Sequence, residues 1–172
     1  INNFGEEDIS YLTQDTYKKL LTNPRNSIPK LIDEIHFNMQ HPENSNVRIP
    51  NKKQPFVEVY KEMEWTICNQ YRTVCGMLRD KKEIIHGIYI KTQDELTHTQ
   101  RNKYLEYKDN IDRDLYTVKQ VITDIRATIM SGTRTKVKSI ESTETINQLT
   151  EPEKDPTQIL MDQIPEDFLY EQ

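Results

Sequence analysis

Apolar residues recur along this chain with two periods, and each change of period marks an element. Tyr17, Leu20 and Leu21 lie three and four apart, and Ile28, Leu31, Ile32 and Ile35 repeat the i, i+3, i+4, i+7 spacing of one helix face. The spacing predicts helices over 14–21 and 28–37. Between them lies Asn23-Pro24-Arg25-Asn26, where the proline disfavours helical backbone at the residue before it. Ser27 is the expected N-cap of the second helix, and Pro29 falls in its first turn, where a missing N–H costs nothing. Residues 38–46 contain Pro42 and three asparagines, a composition of turns closed by side-chain-to-backbone bonds.

The period then falls to two. Val47–Ile49 and Phe56–Tyr60 read as short strands joined by a PNKKQP turn, and Trp65–Cys68 as a third strand returning across KEME. Val74, Met77, Leu78, Ile84 and Ile85 predict a helix from about Tyr71 to His86, with Gly87 as its C′ residue. No Pro or Gly occurs from Asp94 to Met130, and Ile111, Leu115, Val118, Ile122, Ile125 and Ile129 are spaced 4, 3, 4, 3 and 4 apart. That is a heptad seam on a helix that would reach ~55 Å if unbroken. The seam serves either to pair copies of the chain or to pack against the chain's own helices. Gly132 is expected to end it.

The fold class predicted is α+β and mostly α: two short helices, a small antiparallel hairpin or sheet, then a long helix with a coiled-coil-like seam. Residues 1–92 would form the helix-helix-hairpin-helix domain, 93–131 the long helix, 132–158 a disordered linker of Ser/Thr/Glu/Lys/Pro composition, and 159–172 an acidic docking peptide or strap. Composition agrees, since 34% hydrophobic and 30% charged residues with four glycines suit helices with wide polar faces.

Charge adds a candidate interface. The net charge of −5 hides a concentration of seven acids against Lys154 in 151–172, whereas 17–61 holds eight Lys/Arg against four Asp/Glu. Lys30, Arg48, Lys52 and Lys53 are the residues there that would neutralise phosphates. Cys68 and Cys75 do not make a disulfide framework, no signal-peptide pattern opens the chain, and no apolar run approaches the ~20 residues of a membrane span. An intracellular protein without a membrane partner is expected. The chain opens on Ile1 rather than Met, as a piece of a longer protein would.

Candidate chemistry is concentrated in one loop, where His36, Asn38, His41, Asn44 and Asn46 lie within eleven residues. A metal-dependent nuclease of the His-Asn-His kind needs a His base beside a His ligand before a hairpin and helix, but here the order is wrong in detail. A zinc site from His36, His41, Cys68 and Cys75 would have His-x4-His and Cys-x6-Cys spacing, looser than structural zinc pairs. Turn formation is the expected role of the asparagines. No catalytic residue, metal ligand or cofactor is assigned.

The strings INNFGEEDISYLT, SIPKLIDEIHFN and HPENSNVRIPNKKQPFVEVY, with Trp65, resemble an uncharacterised module of giant DNA virus proteins that often follows Cys-Cys-His-His zinc fingers. The similarity covers residues 1–90 and, more loosely, extends to about 137. KEME replaces the Asp-Gly type of turn usual there, TICNQYRTVCG is inserted before LRDKKEII, and the tail has no counterpart. The resemblance implies a nucleic-acid-associated protein acting in the infected cell or virion, and the abundance of helix with no concentrated acid–base or phosphate-binding motif favours a non-catalytic binding and oligomerisation module. Its partners would be a second copy through the long helix and a protein docked by 159–172. As an alternative, the domain itself binds DNA or RNA, because two helices followed by a basic hairpin have the order of a winged helix-turn-helix.

Overall fold

The computed structural model describes residues 1–150, with side chains as far as Ser139. The fold is mostly helical with one small antiparallel sheet, as the apolar periods predict. Its elements are α1 (Gln14–Thr22), α2 (Ser27–His36), β1 (Val47–Arg48), β2 (Phe56–Lys61), β3 (Glu64–Asn69), α3 (Gln70–Thr92), α4 (His98–Arg113) and α5 (Leu115–Thr150). Residues 1–136 form one compact unit, and a second begins at Val137. Among the described residues, no helix is long and apolar enough to cross a membrane.

Helix α2 lies at the centre of the compact unit. Its Ile28, Leu31, Ile32 and Ile35 are at most 1% exposed, so its stripe is covered on every side. Burying each such side chain stabilises by roughly 1.5–3 kcal/mol. Leu20 and Leu21 of α1, Val57 and Val59 of β2, and Val74, Met77 and Ile85 of α3 join it in the core. Ser27 is the first residue of α2 rather than its cap, and its hydroxyl donates to Pro24 O at 2.7 Å. The one-turn helix at Pro24–Asn26 leads straight into α2, so no extended cap position is left between them.

The strands run in the order β1-β2-β3, with Val47 opposite Val59, Val57 opposite Cys68 and Tyr60 opposite Trp65. Val57 and Val59 face the core, which turns Phe56, Glu58 and Tyr60 outward with Arg48, Trp65 and Ile67. Glu62 and Met63 connect β2 to β3 with φ of 50° and 68°. This left-handed pair gives the twist that a two-residue hairpin needs, at some steric cost because neither residue is glycine.

Three helix boundaries differ from expectation. Helix α3 continues through Gly87 because Tyr89 beyond it is buried and Ile88 packs on the core, so packing outweighs the glycine. The predicted 94–130 helix is two helices. Asp114 breaks it with φ −102° and ψ 110°, and its carboxylate accepts from Thr117 N (2.9 Å) and Tyr116 N (3.3 Å), capping α5. Gly132 does not end α5, which runs on to Thr150 through the first part of the expected linker. The glycine is there for space: a β-carbon on it would lie 2.2–2.7 Å from the Phe37 ring. The rest of the linker and the 159–172 peptide lie outside the described residues.

The heptad seam is internal. Ile111, Ile125 and Ile129 are buried in the same core as α2, Val118 and Ile122 pack against it, and only Leu115 is exposed. The long-helix region is therefore part of the domain rather than an arm beside it, and the buried Ile111, Ile125 and Ile129 are committed to this chain's own core.

Two outcomes test this packing. Gly to Ala in an exposed helix interior gains up to ~1 kcal/mol. Gly132→Ala should instead lose about 1–3 kcal/mol in a urea melt, with Phe37→Ala restoring part of the loss in the double variant. Ile125→Ala should cost about 2–5 kcal/mol, with a midpoint independent of protein concentration; a midpoint rising with concentration would return the residue to an intermolecular seam.

Candidate functional site

The loop that follows α2 is a clamp, and what it holds is the chain's first eight residues. Asn44 acts as a substitute backbone: its Nδ2 donates to Asp8 O (2.6 Å), while its Oδ1 accepts from Asp8 N (3.0 Å) and Asn2 Nδ2 (2.9 Å). Asn46 Nδ2 donates to Glu7 Oε1 (2.9 Å), Asn3 O (3.1 Å) and Asn2 O (3.3 Å). Backbone bonds run alongside, from Asn2 N to Glu43 O, from Phe4 N to Tyr60 O, and from Tyr60 N to Asn46 O. Of the asparagines expected to close local turns, only Asn38 does so, accepting from Gln40 N at 2.9 Å. Asn44 and Asn46 are wholly buried and reach across 36–44 residues to a segment that belongs to no helix or strand, so their amides supply bonds that a ladder would otherwise give.

His36 sits beneath this clamp. Fully buried, it bonds through Nδ1 to Asn46 Oδ1 at 2.8 Å. An amide oxygen only accepts, so Nδ1 carries the proton and Nε2 has a bare lone pair. That Nε2 and the Tyr107 hydroxyl oxygen are buried side-chain atoms without a hydrogen-bond partner among the described residues. Glu7 lies beside the histidine, with Oε1 at 3.9 Å from Nδ1 and Oε2 at 3.5 Å from the buried Lys81 ammonium. Burial, reinforced by the Lys81 charge, pushes the His36 pKa down to about 4. Burial alone would raise Glu7, but His36 in its protonated form, the Lys81 ammonium and the donors Gly5 N and Asn46 Nδ2 hold it below the usual carboxylate range. At neutral pH His36 is therefore uncharged and Glu7 pairs with Lys81. Glu7 and Lys81 escaped sequence reasoning because each looks like a solvated surface charge. The one available hint was the position of Lys81 three residues after Leu78 and four before Ile85, on the apolar stripe of α3.

The other candidates are dispersed. His41 stacks on Tyr11, with ring centroids 3.5 Å apart, and bonds Glu43 Oε1 at 2.9 Å. His36 and His41 thus serve different contacts, and Cys68 on β3 and Cys75 on α3 are both half-buried free thiols. Among the described residues, no three His, Cys, Asp or Glu side chains converge as a metal ion would need.

Arg48 is committed locally, its Nε bonded to Glu58 Oε2 at 2.5 Å and its guanidinium 4.0 Å over the Trp65 ring. Lys30 is exposed on α2, and Lys52 and Lys53 are exposed on the β1–β2 turn. Lys52 and Lys53 share one turn, Arg48 is on the strand before it and Lys30 is on α2. Ser27 and Ile28, at the start of α2, are buried, so that helix has no free N-terminal face to enter a DNA groove. Compared with protein-family models, with curated proteins and with solved structures, the chain matches none.

The His36 environment has a pH signature. The unfolded histidine titrates near its ordinary value of 6.5, and the folded one near 4, so the unfolded chain takes up the proton first. The stabilisation is complete above pH ~6.5 and should fall by up to about 3 kcal/mol as pH drops toward 4, with Glu7 adding to the loss below that. Urea melts from pH 7.5 to 4 measure the slope. His36→Gln, whose amide still donates to Asn46, should flatten the limb between pH 6.5 and 4; an unchanged limb would assign it to other groups.

Proposed function

We propose that residues 1–136 are a non-catalytic binding module of a nucleic-acid-associated protein, and that the hairpin side of the domain makes the contact. One observation supports this above the others. The polar side chains that look reactive in the sequence are engaged inside the fold, while the hairpin leaves an aromatic and basic surface open. His36, Asn44 and Asn46 hold the segment 2–8 and present nothing to solvent. Phe56 and Ile67 on the outer sheet face are exposed, as are Lys52 and Lys53 on the adjoining turn. Exposed apolar side chains grouped on one face, rather than scattered singly, mark interaction surfaces.

The sequence resemblance supports the same setting, a zinc-finger-associated protein of a giant DNA virus, present in the infected cell or virion. Self-association through the 111–129 seam is not part of this reading, because Ile111, Ile125 and Ile129 are in the core and Val118 and Ile122 pack against it, which leaves Leu115 as the exposed residue of the seam. A protein partner for 159–172 remains part of it.

Mobility-shift titrations with DNA and RNA at 50 and 200 mM salt test the proposal. Binding at low salt should weaken on going to the higher concentration, as neutralised phosphates regain their counterions. The absence of any shift at 50 mM salt would end it.

A further inference from the structure

We infer that the hairpin surface is a stacking site for single-stranded nucleic acid, centred on the cavity between the start of α3 and α5, beside Pro55 and the end of β3. The inference rests on the nucleic-acid reading above and gives it a location and a ligand class.

The cavity measures about 260 Å³, and Pro55, Gln70, Tyr71, Val74, Ile122 and Arg126 are among its lining residues. That is below the ~300–1,000 Å³ of pockets for drug-sized ligands and suits one ring system. Its floor is aliphatic, from Val74 and Ile122. Tyr71 at its rim is 67% exposed and offers a ring with no structural duty in the core. Gln70 ties the cavity to the start of β2, its Nε2 donating to Phe56 O at 3.1 Å and its N to Pro55 O at 3.0 Å, and the Phe56 side chain there lies on the outer sheet face. Phe56, Ile67 and the Arg48–Trp65 pair extend that face along the strands.

Charge selects the ligand. Arg126 is the only charged residue lining the cavity among the described residues, and no carboxylate lines it. One guanidinium N–H of Arg126 donates to Lys52 O at 3.0 Å, which fixes the side chain beside the Lys52-Lys53 turn and leaves the other donors of its fork for a phosphate. Arg126 and the Lys52-Lys53 turn therefore put positive charge beside the cavity, while on the sheet face Arg48 is neutralised by Glu58. The opposite arrangement holds at the far end of the sheet, where Glu62 and Glu64 flank the hairpin turn. A ligand with a flat face at each repeat and an anionic backbone matches this order, since a base stacks on an aromatic ring whatever its identity. A duplex keeps its bases stacked on one another and offers this surface only phosphates.

Fluorescence anisotropy of the whole chain with labelled 12-nucleotide dT and U oligomers, a DNA hairpin duplex of equal charge and a polyglutamate peptide tests the assignment. Single strands should bind more tightly than the duplex, and the peptide should not compete. Tyr71→Ser and Arg126→Gln should each weaken single-strand binding about tenfold, Tyr71→Phe should retain it, and Lys30→Gln should leave it unchanged. Circular dichroism confirms folding of each variant, and Phe56→Ser provides a second removal of a ring from the surface, with the same loss expected. Single-strand binding that survives Tyr71→Ser, Arg126→Gln and Phe56→Ser would overturn the site while leaving the nucleic-acid reading standing. Equal binding of duplex and single strand, or full competition by polyglutamate, would overturn the stacking mechanism. No binding of any nucleic acid at 50 mM salt would remove both proposals.

Discussion

The domain depends on the side-chain amide of Asn46. Its oxygen takes the His36 proton, and its nitrogen serves the Glu7 carboxylate and the carbonyls of Asn2 and Asn3. Four elements meet at this one group: the segment 2–8, the end of α2, the loop before β1 and, through the Glu7–Lys81 pair, α3. A buried network of this kind is favourable only when its members are satisfied, because an unpaired polar group away from water costs about 1–3 kcal/mol and a buried unpaired charge more. The lone exception within it, His36 Nε2, is tolerated because a neutral imidazole with a bare lone pair costs far less than a buried cation. The network accordingly fixes protonation states as well as positions.

Around that point the packing is conventional, which is why the periods of the sequence predict the fold well. The α2 stripe, the alternation in β2 and the spacing from Ile111 to Ile129 are all decided by burial, and burial leaves a regular trace. The site was less legible. Asn44 and Asn46 have the composition of local turns, and nothing in their spacing shows that they bind backbone some forty residues away. Glu7 and Lys81 look like ordinary surface charges. Gly132 looks like a helix stop, because its real reason, the ring of Phe37, is distant in sequence. Asp114 with Thr117 was a readable cap that a continuous heptad pattern concealed.

A division of labour results. The HPENSN loop, richest in polar side chains, is structural, and the surface suited to contact is the plainer hairpin with its neighbouring helices. Arg48 links the two regions, because it lies two residues beyond Asn46 and stacks on Trp65 while paired with Glu58. Its charge is thereby held to the sheet rather than extended into solvent, whereas Arg126, Lys52 and Lys53 are exposed beside it.

The reach of the clamp also orders events during synthesis. Residues 2–8 are translated before every group that binds them: Asn44 and Asn46 follow by some forty positions, and Lys81 by more than seventy. Until then Glu7 is a solvated carboxylate and the backbone of the segment bonds to water. Closing loops of that length has an entropic cost that no local contact offsets, so the clamp forms only after α2, the hairpin and α3 have come together. This segment, made before the groups that bind it, is therefore among the last to be fixed, and through that interval a nascent chain exposes the core edge that Phe4 and Ile9 later cover.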